Sequence, residues 1–142
     1  MFSMACYWEG EARLGAIDGV LSTEAGWLEG REVVKVRYDA KRAWVRRLVR
    51  AASDAKCAGK VWVGDETEAG QAREIVEAPV AVGFDGYRTA AEREQKYYLE
   101  RSAYAGLELT EEQRTKVNAA LRLGGDPGVF LKREQLAQLD KR

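Results

Sequence analysis

A chain of 142 residues, 46% hydrophobic and 32% charged, has the composition of an ordinary soluble domain and the length to bury a core without disulfide or metal support. Its 23 basic and 23 acidic side chains cancel, which leaves no global field to draw in nucleic acid or an anionic membrane. Histidine is absent and there are two cysteines, so a structural zinc site, a Ser-His-Asp triad and a Cys-His pair are excluded, and acid–base chemistry falls to carboxylates, tyrosines or lysines.

Phe2 to Ala5 is predicted to be a short buried strand running into Cys6. Trp8 to Ala16 follows as a helix, closed by a turn at Asp18-Gly19. Val20 to Trp27 is a second strand. "REVVKVRYD", Arg31 to Asp39, is the clearest strand, rich in β-branched residues with near period-2 alternation. Lys41 to Ser53 is predicted as a helix whose apolar stripe is Trp44, Val45, Leu48 and Val49; its arginines read as a solvated face, favoured over a nucleic-acid patch. Lys60 to Val63 is a strand, Glu66 to Ala78 a helix and Pro79 to Phe84 an apolar strand. Helices at Ala90 to Arg101 and Leu109 to Leu121 complete the series, the second opened by a Thr110-x-x-Gln113 capping box.

Strands interleaved with helices predict an α+β fold, a two-layer α/β sandwich with helices packed on a mixed sheet. One domain over residues 1–142 is expected, with a core of about 1–101 and a helical extension of about 108–140. No segment reaches the roughly 20 apolar residues of a membrane span and no leader of basic, apolar and small segments precedes Cys6, so a cytoplasmic monomer is expected, with neither nucleic acid nor membrane as a partner.

Two residues stand out within this layout. Cys6 lies at a strand-to-helix junction, where unpaired backbone N–H groups and the positive end of the helix dipole favour thiolate over thiol. The alternative is a small buried core residue, a common fate of free cysteine. Glu32 shares the strand face of Val34, Val36 and Tyr38, with Lys35 and Arg37 on the other face. A carboxylate on an apolar face either pairs with a donor or has its pKa raised by desolvation, and the second condition makes a general acid.

"FSMACYWEGEARLGAIDGVLSTEAGW" resembles the start of the A-class peptide-methionine sulfoxide reductases. Ala5-Cys6-Tyr7-Trp8 stands for the family's Gly-Cys-Phe-Trp, Glu11 for the Glu five residues after the Cys, Asp18-Gly19-Val20 for a turn, and Thr23 with Gly26-Trp27 for Thr-x-x-Gly-Tyr. "REVVKVRYD" is similar to the Gly-His-Ala-Glu strand, with Glu32 at the general-acid position, and "AEREQKYYLER" to a late helix with Glu94 at a histidine position. Only Leu28 to Arg31 separate Trp27 from Glu32, where the family carries a long loop with a tyrosine donor, and the family's C-terminal resolving cysteine has no counterpart.

The resemblance implies a ferredoxin-like core and reduction of methionine sulfoxide, peptide-bound or free, through a cysteine sulfenic acid. Cys6 would be the nucleophile and Glu32 the proton donor. Tyr7 and Trp8, with Trp27, would cage the S-methyl group. Cys57 is the one internal candidate for resolving the sulfenic acid, with an external thiol as the other route and thioredoxin as the implied reductant. No cofactor is implied. A second possibility is a non-catalytic relative that keeps the fold and a reactive thiol for sensing or binding.

Overall fold

The computed structural model describes residues 1–42 and 44–141. Among them six strands hydrogen-bond in the order β5-β4-β1-β3-β2-β6: β1 (Phe2–Ser3), β2 (Val20–Leu28), β3 (Arg31–Tyr38), β4 (Val61–Val63), β5 (Val80–Val82) and β6 (Arg88–Thr89). The pairings are antiparallel except β4 with β5, so the sheet is mixed, as the interleaved pattern predicts. β1 is only two residues long, yet it sits at the centre: Phe2 pairs with Val34 on one side and Val61 on the other.

The β2–β3 hairpin is closed by Glu29 (φ 54°) and Gly30 (φ 73°), a two-residue loop with both residues left-handed, the geometry that matches strand twist. Its register sets Trp27 opposite Glu32 and Ala25 opposite Val34. Six α-helices are interleaved with or follow these strands among the described residues: α1 (Tyr7–Gly15), α2 (Val45–Asp54), α3 (Glu66–Arg73), the single turn α4 (Tyr97–Glu100), α5 (Glu111–Leu123) and α6 (Arg133–Asp140). α1 packs on β2, β3 and α5, and α3 on β4, β5 and α2. A Cβ on Gly15 would lie 3.0 Å from Thr115 Cγ2, so the α1–α5 crossing is as close as it is because that side chain is missing. Phe2, Leu14, Val34, Leu48, Val49 and Val61 fill the space between helices and sheet. Leu28, Val33 and Trp62 form a smaller cluster of their own. These two layers are the α+β sandwich expected. No helix among the described residues is long and apolar enough to cross a membrane.

Several elements depart from the sequence pattern. The first strand ends at Ser3 rather than Ala5. α2 begins at Val45, and Trp44 is its extended N-cap, 57% exposed, so the buried stripe is Val45, Leu48 and Val49 without the tryptophan; the start predicted at Lys41 runs across Ala43, which lies outside the described residues. α3 stops at Arg73 rather than Ala78; Pro79 keeps Ala78 out of helical geometry, but the helix ends before that point, capped at Glu74.

The largest difference is at Ala90 to Arg101. In place of one helix there is a 3₁₀ turn (Glu92–Glu94), Lys96 with φ 46°, and then α4. Gln95 and Lys96 both turn inward here. The Gln95 amide accepts from Ala25 N at 2.8 Å and donates to Ala25 O at 2.8 Å, acting as a side-chain strand on β2. These tertiary bonds outweigh helix propensity, which is worth only tenths of a kcal/mol per residue. β6 was not foreseen; it reaches β2 where Gly26 leaves room, since a Cβ there would stand 2.4 Å from Tyr87 Cε2. The Thr110–Gln113 capping box opens α5 as expected, and Gly124, at φ 85°, closes the far end of the helix.

Candidate active site

Cys6 is the N-cap of α1, in extended geometry (φ −141°, ψ 117°), half-buried and without a disulfide. Its carbonyl accepts the first helical bond, from Gly10 N at 3.0 Å, while its side chain caps no amide. The amide that follows is capped instead by the neighbouring strand: Tyr7 N donates to Glu32 Oε1 at 3.0 Å. Glu32 therefore lies at the positive end of α1, immediately beside the cysteine, and among the described residues no donor reaches its Oε2. β1 and β3 bring this about, since Met4 N bonds to the Glu32 carbonyl at 3.4 Å and carries the chain from the sheet into the helix.

Tyr7 and Trp27 meet edge to face, with ring centroids 5.7 Å apart. Trp27 is the cross-strand partner of Glu32, so the carboxylate, the two rings and the thiol come from adjacent positions of α1, β2 and β3. Burial pushes the Tyr7 phenol above its usual pKa, and the charges of Glu94, Glu32 and Cys6 add to the effect. Its hydroxyl has no hydrogen-bond partner among the described residues. An open groove of about 550 Å³, lined by Ala5, Trp27, Arg31, Glu32 and Lys56, leads away from this point.

Trp8, the next residue of α1, meets the segment that carries Glu94 and Tyr97. Its indole stacks on Tyr97 with centroids 3.7 Å apart, and Nε1 donates to Glu94 Oε2 at 2.8 Å. The Arg101 guanidinium covers the Tyr97 ring at 3.6 Å. The resemblance places Glu94 at a histidine position but gives no role to Tyr97 or Arg101, and a continuous helix through Ala90–Arg101 gives no reason for any of them to turn toward α1. The signal that could have found them is the run Glu92 to Lys96, five polar side chains in succession between Ala91 and Tyr97.

Glu11, fully buried one helical turn beyond Tyr7, accepts from Thr23 Oγ1 (2.8 Å), Lys96 N (2.7 Å) and Lys96 Nζ (2.8 Å). Lys96 Nζ also donates to the Thr23 carbonyl. This network ties α1 and β2 to the segment that carries Glu94 and Tyr97, and its role is to hold the two walls of the site together.

Cys57 lies 2% exposed in the core, with its thiol directed at the Ala55 carbonyl at 3.5 Å and its amide bonded to Ala52 O at 2.8 Å. Burial pushes its thiol pKa up. Tyr38 stands at the opposite end of β3 from Glu32 and donates to Glu68 Oε2 at 3.2 Å.

No protein-family model matches the chain. A stretch of it is 36% identical over 58 residues to the peptide methionine sulfoxide reductase MsrA of Methanococcus maripaludis. The match covers 29% of this chain and 37% of that relative, a partial similarity that extends over well under half of either protein.

Proposed function

We propose that the chain reduces methionine sulfoxide, peptide-bound or free, at the expense of a thiol reductant. The observation that carries this reading is the placement of Glu32: its Oε1 accepts from the amide of Tyr7, the residue next to Cys6, and among the described residues no donor reaches its Oε2. The partial similarity to a methionine sulfoxide reductase supports the same chemistry.

The Cys6 sulfur attacks the sulfoxide sulfur, and a proton passes from Glu32 to the departing oxygen. The S–O bond breaks as the oxygen is transferred, leaving the thioether and Cys6 sulfenic acid. A second thiol then displaces water from the sulfenic acid to give a disulfide, and a third thiol equivalent returns Cys6 to its reduced form. Tyr7 and Trp27 offer the aromatic wall against which the S-methyl group packs. The burial of Cys57 favours an external thiol, of the thioredoxin kind, as the resolving group.

Turnover of both methionine sulfoxide epimers with dithiothreitol is the direct test, with Cys6→Ser inactive. Glu32→Gln is expected to slow the chemical step by on the order of 100-fold, the share typical of a general acid. Cys57→Ser is expected to retain thioredoxin-supported turnover; a variant that releases one equivalent of methionine and then stalls would assign resolution to Cys57. One observation favours a non-catalytic thiol sensor or binding module instead, namely that one face of Trp8 is covered by Tyr97. A chain that forms a stable sulfenic acid with peroxide yet turns over neither epimer would establish that second reading.

A further inference from the structure

A second cavity lies between the sheet and α2 toward the far end of β3; its nearest β3 residue, Val36, is four positions from Glu32, ~13 Å at ~3.3 Å per residue. It encloses about 220 Å³, and its walls include Val36, Val45, Leu48, Val49, Val63 and Phe84. Leu48 and Val49 are 3% and 1% exposed, whereas Phe84 is 40% exposed and stands at the mouth. A dry apolar cavity of roughly 150 Å³ is already large enough to take up benzene, so this one has room for a single aromatic ring with a short side chain.

The lining includes one polar corner. Glu68 Oε2 accepts from Tyr38 Oη at 3.2 Å, and Glu68 Oε1 accepts from Gly64 N at 2.9 Å. Among the described residues no lysine or arginine forms an ion pair with Glu68. The one other amine lining the cavity is that of Met1, which donates to the Trp62 carbonyl at 2.7 Å. Burial pushes this amine down to about 5, so at neutral pH it carries little charge to offset the carboxylate. Each Glu68 oxygen keeps a lone pair after its present bond, and the Tyr38 oxygen keeps acceptor capacity after donating. The corner is therefore a set of acceptors, negative overall, at the end of an apolar chamber.

We propose that this cavity binds a small aromatic primary amine, with the ring among the valines and Leu48 and the ammonium on Glu68 and Tyr38. The shape selects a single ring. The half-buried carboxylate, without a lysine or arginine partner among the described residues, selects a cation over a neutral alcohol or a hydrocarbon, because a charge-assisted hydrogen bond is about twice as strong as a neutral one. The site is separate from Cys6 and does not depend on the reductase reading.

The probe is benzylamine, with benzyl alcohol and toluene as neutral comparisons, followed through the Gly64 and Glu68 amide resonances of the full chain at pH 7. Saturable shifts are expected for benzylamine, with at least tenfold tighter binding than for either neutral compound. Glu68→Gln, with its fold checked by circular dichroism, is expected to abolish that preference; if this variant does not fold, the three-ligand comparison on the unaltered chain decides alone. Equal affinity for benzylamine and toluene, unchanged binding in folded Glu68→Gln, or no saturable shift with benzylamine overturns the proposal.

Discussion

Replacing Glu11 by glutamine tests the network that joins the two walls of the candidate site. The carboxylate is fully buried and the Lys96 side chain is 4% exposed, so removing the negative charge leaves an ammonium in the interior with no counter-charge. Glutamine keeps an acceptor for Lys96 N, and its NH2 can donate to Thr23 Oγ1, but the Lys96 ammonium loses an acceptor as well as its counter-charge, because both Thr23 Oγ1 and Lys96 Nζ donate to Glu11 Oε1. Breaking a buried pair from one side costs about 3–5 kcal/mol. With a urea dependence of about 2 kcal/mol per molar, the unfolding midpoint should fall by roughly 1.5–2.5 M, with the slope unchanged. Glu11→Gln combined with Lys96→Met should recover most of the loss, since the stranded charge is gone. Urea titrations followed by far-ultraviolet circular dichroism measure all three proteins. A loss below about 1 kcal/mol in the single variant, or a double variant no more stable than the single one, would refute the view of a compensated buried pair.

The amino group of Met1 gives a pH prediction: its pKa falls from 8.0 to about 5 on folding, so the folded chain rejects a proton that the unfolded chain accepts. Stability should rise between pH 5 and pH 8 by up to about 4 kcal/mol from this group, three units at ~1.4 kcal/mol each, and be lost as the pH falls. Melting temperatures at several pH values, for the free and the N-acetylated chain, check this, the acetylated chain showing the shallower slope. Gly26→Ala should destabilise by about 1–3 kcal/mol through overpacking, because its Cβ would lie 2.7 Å from the Arg88 carbonyl as well as against Tyr87; thermal melts and the loss of β6 protection in amide exchange would show it.

Local patterning was enough to place β2, β3, α1 and the capped start of α5, since each carries its own period or cap within a few residues. The position of Cys6 at the head of α1 and of Glu32 on the face of Val34 and Val36 follows from the same periodicities. What could not be read was contributed by distant partners. Lys96 turns inward because Glu11, 85 residues earlier, is waiting for it, and the Gln95 amide takes a strand's place beside Ala25, accepting from its N–H and sharing its carbonyl with Ala90 N. Trp44 looked like part of a stripe because periodicity alone does not reveal where a helix starts. Cys57 could be assigned to a loop before β4, but its burial depends on packing with α1 and α2 that no short window contains.

The central place of β1 has a consequence for how the chain can be made. During synthesis Phe2 and Ser3 emerge ahead of both of their partners, Val33 and Val34 in β3 and Val61 in β4. The β2–β3 hairpin, with its two-residue turn, can close as soon as it appears, on the microsecond scale of an isolated hairpin. β1 can then pair on one side only, with β3, until Val61 follows. Cys6 comes only three residues after Ser3, so the nascent thiol is held in its junction with Glu32 only once the sheet closes around β1, and up to that moment it is as open to oxidants as any thiol on an unfolded chain.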